Sequence, residues 1–379
     1  MPQVLTLARE NSMRVGIQQR VLPDYRVAFF ECLAEHFPER LSVFAAQPLA
    51  QEMIHPVQTI PNVRFEQGFN LHLFHPTHPL YLCWQLGLLR WLGAWRPQVL
   101  IVEANPRYLA TRLAVQWMRR QGGKVIGWGL GAPPLAGFSG RLRQIERARF
   151  FQSLDGIIAY SHRGAEEYRL AGFPPERVFT ALNAVARRPT SAPPPKPPAF
   201  AERPRVLFVG RLQARKRIDF LLRACASLPA NLQPHLAIVG EGPERRFLED
   251  LAAQIYPSAR FLGERRGAAL REAFDWADLF VLPGTGGLAA QQAMAHGLPL
   301  IVAEGDGTQE DLVRPANGWL VPPNDLSALK QALAEALSDA ARLRRMGAES
   351  FRLAVEEVNV EAMAEVFARA VHQTLASGS

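Results

Sequence analysis

The stretch "RVLFVGRLQARKRIDFLLRACASL", residues 205–228, decides the fold. It opens on an apolar run ending at Gly210, passes through a basic loop, and continues as a helical pattern from Ile218. That is strand, loop, helix. Gly210 permits an unusual turn or a close backbone approach at the strand end. Arg211 and Lys216 follow at the rim. One offers a fork of donors and the other a compact point charge, a pair suited to a diphosphate.

The same unit recurs on both sides. Downstream, "HLAIVG" (235–240), "LFVLPG" (279–284) and "PLIVAE" (299–304) read as strands, and "ALREAFDWA" as one of the helices between them. Residues 325–377 are mostly helical in pattern. Upstream, "RVGIQQ" (14–19), "LSVFAA" (41–46), "QVLIVEA" (98–104), "KVIGWGL" (124–130) and "GIIAYS" (156–161) are strands, with a helix over 26–37. Such alternation requires right-handed crossovers and parallel sheets buried on both faces. The expected class is α/β, with two Rossmann-like parallel-sheet domains facing a cleft. Between the halves runs "RRPTSAPPPKPPAFAERP" (187–204), whose proline density forbids helix or central strand and predicts a stiff connector. The expected boundaries are 13–188, a linker over 189–204, then 205–355. A last helix over 356–379 is expected to cross back to the first domain.

Bulk properties narrow the function. Cys32, Cys83 and Cys225 are far apart, so neither a disulfide framework nor a metal or redox spacing is present, and a reducing, cytoplasmic setting is the default. The first residues lack the pattern of a secretory leader. "LYLCWQLGLLRWLGAW" (80–95) is too short to span a bilayer and carries Arg90, so it reads as a buried helix; an interfacial helix is the alternative. The net charge is +8, and residues 1–190 hold 22 Lys+Arg against 13 Asp+Glu, so the excess lies in the first half. No nucleic-acid signature accompanies it, so the expected partner is phosphorylated or membrane-borne.

Two further strand ends carry chemistry. "IVGEGPER" (238–245) brackets Glu241 with Gly240 and Gly242, which a tight strand-to-helix turn alone would explain. "LPGTGGLAAQQAMAHGLPLIV" (282–302) has a glycine-rich turn ahead of a helix, where backbone N–H groups can face a phosphate or sugar. Between Gly284 and Gln292 there is no acid, base or metal ligand.

In their order, "VGRL…K", "IVGEGP", "FLGE", "ADLFVLP…GGL…AMAHGLPLIV" and "NGWLVPP" resemble the donor half of a family 4 retaining glycosyltransferase of GT-B fold. The likeness is close over 205–340 and looser over 14–186. It implies a nucleotide-sugar donor domain after the linker and an acceptor-binding domain before it. Arg211 and Lys216 match the pair that holds the diphosphate and supports its departure. Gly210, Glu241, Gly263, Glu264, Thr285, Gly286, Gly287, Leu288, Gln292 and Glu310 match donor-binding positions. No cofactor and no metal are implied, because the basic pair does a cation's work. Charge developing on the leaving diphosphate would be stabilised by fixed cations and helix-end N–H groups.

The chain departs from the family twice. The family's two glutamates, eight positions apart, fall here on Gly284 and Gln292, and Leu130 stands where many relatives have histidine. Acids could come instead from "EGDGTQED" (304–311), where Asp306 replaces a usual glycine. A more positive site would suit an acidic sugar. Two readings stay open: an active transferase with an altered sugar site, or an inactive binding or scaffold protein. A nucleotide-sugar epimerase of the same fold is a third, against which the "GGL…AMAHG" helix speaks.

On the acceptor side the candidates are Asp24, Tyr25 and Arg26 at the first loop–helix junction, and Asn105 and Arg107 after a strand; Asp24 is equally read as a helix cap. The acceptor is expected to be a saccharide or a lipid-linked sugar, with peripheral membrane contact through the basic half. "RLRQIERAR" (141–149) reads as a solvated basic face or such a membrane patch. His72, His75 and His78 read as a non-metal loop.

Overall fold

The computed structural model describes residues 13–377, apart from 50–51, 53, 55–56, 76–77, 79–80 and 135–137. The leader reading of the first dozen residues lies outside the described residues.

The chain forms two compact units, one of residues up to Val185 together with Val360 onward, the other Ala186–Asn359. The first holds β1 (Val15–Val21), β2 (Leu41–Ala46), β3 (Arg64–Leu73), β4 (Leu82–Leu86), β5 (Val99–Glu103), β6 (Lys124–Gly129), β7 (Gly156–Ala159) and β8 (Val178–Thr180). Their order is β4-β3-β2-β1-β5-β6-β7-β8. β3 pairs with β4 antiparallel, and the other described ladders of this sheet are parallel. The second unit holds β9 (Arg205–Val209), β10 (His235–Val239), β11 (Arg260–Gly263), β12 (Leu279–Leu282), β13 (Leu300–Ala303) and β14 (Gly318–Val321), ordered β11-β10-β9-β12-β13-β14 and all parallel.

Each unit is thus a doubly wound sheet. β5 shows why its run is continuously apolar: Val99 and Ile101 enter one core, Leu100 and Val102 the other. The first core also takes the helix Val360–Ala376, whose Phe367 meets Phe29 at 4.8 Å and Trp128 at 4.9 Å between ring centroids. The helix that precedes it, Ala340–Glu356, stays in the second unit.

Two expectations change. Residues 80–95 are not one buried helix. β4 pairs with β3, Gly87 turns the chain at φ 92°, and only Leu88–Trp95 is helical. Cys83 and Gln85 point inward while Trp84 and Leu86 stay exposed, the period-two pattern of a one-sided edge strand. β3, absent from the expected strands, carries His72, whose Nδ1 lies 2.9 Å from Tyr81 Oη. Among the described residues no group of three or more His, Cys, Asp or Glu could hold a metal.

The proline-rich segment has no helix or strand, yet it is no free spacer. Lys196 Nζ donates to the carbonyls of Asp275, at 2.8 Å, and Ala277, and Arg344 Nε donates to Pro197 O at 2.9 Å. Prolines leave carbonyls without adding donors; Arg344 satisfies one of them, while Lys196 of the segment satisfies two carbonyls at the end of the helix Gly267–Trp276. Among the described residues no helix is long and apolar enough to cross a membrane.

Candidate donor site

Ligands of open parallel sheets sit beyond the carboxyl ends of the strands. In the second unit the loops after β9, β10 and β12 are laced together there. Gly210 N–H donates to Val239 O at 2.9 Å, and Leu212 N–H to Glu241 O at 2.9 Å. A Cβ on Gly240 would collide with the carbonyl of Gly210, so close loop packing explains that glycine. Glu241 accepts from Arg245, which also pairs with Glu249 at 2.8 Å. Gly263 accepts from Gly240 N–H at 2.8 Å, and Glu264 pairs with Arg266 at 2.6 Å on the surface.

The turn Ala214–Lys216 is the seat of the glycine loop. Lys216 Nζ donates to Thr285 O at 2.6 Å, Arg215 Nη1 to Thr285 Oγ1 at 3.1 Å, and Thr285 N–H returns to Arg215 O at 3.1 Å. Burial, and then the neighbouring Arg215, push the Lys216 ammonium down to about 8. Arg211 follows Gly210 at the end of β9, half-buried. Sequence reasoning passed over Arg215, although it lies beside Lys216.

Gly284 is more than a missing glutamate. A Cβ there would collide with Arg215 O and fall 2.5 Å from the Lys216 carbonyl carbon. The basic turn occupies the space a side chain would need. Gly286, at φ 126°, lies against Lys216 Nζ, and its carbonyl accepts from Gln309 Nε2 at 3.1 Å. Gly287 opens the helix Leu288–Ala295.

Gln292 sits one turn into that helix and is exposed. It lines a groove of about 470 Å³ with Arg187, Gly267, Leu270, Arg271 and His296. Glu310 is half-buried on the short helix Thr308–Leu312. Asp306, read above as a candidate acid, is spent on that helix. It accepts from Thr308 Oγ1 at 2.6 Å and Thr308 N–H at 3.2 Å, while Gln309 Oε1 accepts from Asp306 N–H at 3.1 Å. This is a reciprocal capping arrangement.

The acceptor-side candidates of the first unit separate. Asp24 Oδ1 accepts from Tyr25 N–H at 2.8 Å within a 3-10 turn, and its side chain does not cap the helix that follows. Tyr25 is exposed. Arg26 is not available to a ligand: it is 6% exposed, lies 5.2 Å from the Trp128 ring centroid and donates to Asn183 Oδ1 at 2.7 Å. Asn105, Arg107 and Leu130 do converge, on a cavity of about 950 Å³ beyond β5 and β6. Arg112, Arg143 and Arg147 line it too, and sequence reasoning missed them there. Glu103 at its edge accepts from Arg20 N–H at 2.6 Å, and burial raises its carboxyl above the usual range.

Comparison with known proteins fits this geometry. The chain has the fold of GT-B glycosyltransferases. It matches Anabaena HepE in complex with UDP at a TM-score of 0.68 and 17% identity, over 95% of this chain and 100% of that one. It matches sucrose-phosphate synthase from Thermosynechococcus elongatus at 0.69 and 20%, over 96% and 100%. Residues 203–339 match the family described as Glycosyl transferases group 1. Over 139 residues the chain is 34% identical to an uncharacterized glycosyltransferase of Methanocaldococcus jannaschii, covering 35% of this chain and 36% of that protein. Over 122 residues it is 41% identical to a GDP-mannose-dependent alpha-mannosyltransferase of Mycolicibacterium smegmatis, covering 31% and 30%. The matched segment spans about a third of each of these two relatives.

Proposed function

We propose that the protein transfers a sugar, with retention and without a metal, from a nucleotide diphosphate sugar to a saccharide or lipid-linked acceptor. One observation carries the reading: the Lys216 ammonium rests on the glycine loop at Thr285 O, ahead of the helix Leu288–Ala295. A diphosphate there would meet Lys216, Arg211, loop N–H groups and the helix dipole together. Those groups oppose the charge that grows on the leaving diphosphate, so they stabilise the transition state more than the bound donor. Gln292 would hydrogen-bond hydroxyls without charge assistance. The test is release of nucleotide from UDP-, GDP- and ADP-sugars, with EDTA or magnesium present and with the anomeric configuration of the product read by NMR. Release that needs magnesium, or an inverted product, removes those parts of the reading.

The second reading, a binding protein without turnover, draws on the blocked position at Gly284. It predicts nucleotide-sugar binding with no release against any acceptor. For a membrane-borne acceptor, support comes from the outer face of β3 and β4, which leaves Phe69, Leu71, Leu73, Trp84 and Leu86 exposed in the basic half of the chain. Sedimentation with anionic vesicles at low and high salt tests that contact.

A further inference from the structure

The 950 Å³ cavity of the first unit differs from the donor corner in its polar inventory. Arg107 comes from the loop after β5, Arg112 from the helix Leu109–Arg120, and Arg143 and Arg147 from the helix Phe138–Gln152. A guanidinium donates and never accepts. Arg107 makes no side-chain hydrogen bond or ion pair among the described residues. Arg147 donates to the carbonyls of Pro133 at 2.8 Å and Ala132 at 3.2 Å, and the nearby carboxylate of Glu167 is shared with Arg163 at 3.5 Å.

Two buried donors on this lining, Arg112 Nε and Trp128 Nε1, have no hydrogen-bond partner among the described residues. Buried polar atoms are nearly always satisfied, so these two donors call for a partner from outside the chain, a water or a ligand. The nearby acids only partly offset these cations. Glu146 is engaged by Arg112 at 3.7 Å, and burial favours the uncharged form of Glu103. The acceptor oxygen of Asn105 is taken by the Arg107 N–H at 3.1 Å. The rings of Trp128 and Phe151 on this lining are buried, whereas Phe74 and Leu130 are exposed. A cavity short of acceptors and rich in fixed cations asks for a ligand that brings oxygens and negative charge.

We infer that this cavity receives an anionic saccharide headgroup, its phosphate or carboxylate set against Arg107, Arg143 and Arg147. The volume is that of a pocket for a small organic ligand, roughly 300–1,000 Å³. The inference rests on the transferase reading, in which the first unit takes the acceptor, and it gives that acceptor a charge.

The test is calorimetric titration of the full chain with glucose 1-phosphate, glucuronate and glucose. It is run on the wild type, on Arg107→Ala/Arg143→Ala, on Arg143→Glu at an exposed position, and on Arg211→Ala as a control for the donor corner. At least one anion should bind, glucose should bind about tenfold more weakly or not at all, and both cavity variants should lose about tenfold or more while Arg211→Ala does not. Binding of the phosphate alone assigns a phosphorylated source, of glucuronate alone a uronate source, and of both a shared anion site. Three results overturn the inference: glucose equals the anions, neither anion binds, or affinity survives both variants with melting unchanged. Turnover onto a neutral saccharide that ignores both variants also overturns it and leaves the transferase standing. Anion binding lost in the variants, with no turnover on any donor, overturns the transferase and keeps the site.

Discussion

Lys216 Nζ and the carbonyl of Thr285 lie 2.6 Å apart, so the cation of the proposed diphosphate corner is anchored by the glycine loop itself. A preplaced charge spends no reorganisation at the moment a bond breaks. Lys216→Ala is therefore expected to lower turnover about 100-fold or more, with a much smaller change in KM. Steady-state kinetics with a nucleotide sugar that supports release would check it; a change confined to KM would contradict it.

The same lysine predicts a pH dependence. Burial and Arg215 hold its folded value near 8, below that of an ordinary lysine. Below about 8 both folded and unfolded chains keep the proton. Between there and the ordinary lysine value the unfolded chain holds more protons, so this group makes stability rise with pH across that window. Binding runs the other way, because a diphosphate needs the charged form. Nucleotide affinity should decline as pH climbs past about 8, and the decline should be absent in Lys216→Arg, whose charge persists. Equal profiles for the two proteins would refute the assignment.

Gly284→Glu should fail to recover the family's carboxylate. The new side chain must displace Arg215 and Lys216, so we expect a loss of about 1–3 kcal/mol and weaker nucleotide binding. Gln292→Glu, at an exposed position, should change stability by less than about 0.5 kcal/mol. Thermal melts of the two variants side by side give the comparison.

Arg26→Ala should be a folding variant and not a binding one. Its guanidinium sits within 6 Å of the Tyr25, Trp128 and Tyr160 ring centroids and holds Asn183. A loss of about 1–3 kcal/mol is expected, with acceptor KM unchanged. A raised KM at unchanged melting temperature would return Arg26 to the acceptor side.

The sequence exposed what repetition makes loud. Strands such as β5 and β9 feed both faces of a sheet, so four consecutive residues in each are apolar and the run stands out. β3 and β4 bury one face only, and their alternation was diluted by histidines and tryptophans. Gly210, Lys216 and Thr285 stand out as candidates in the sequence because ligands of parallel sheets sit at strand ends. The cavity arginines were not. Arg143 and Arg147 share a helix face, and on paper a basic face turned to solvent has the same spacing as one turned to a ligand. The collision at Gly284 joins residues about seventy positions apart and needs three dimensions to appear.

The Phe29–Phe367–Trp128 cluster joins rings that precede the second unit in the chain to one that follows it. Phe367→Ala should cost about 3–5 kcal/mol, read by chemical denaturation. It also sets an order of assembly. The helix Val360–Ala376 follows the whole second unit in the chain, so the first unit's core stays open along one side until that helix is available to close it. Closure by so distant a segment makes the first unit the slower of the two to finish folding.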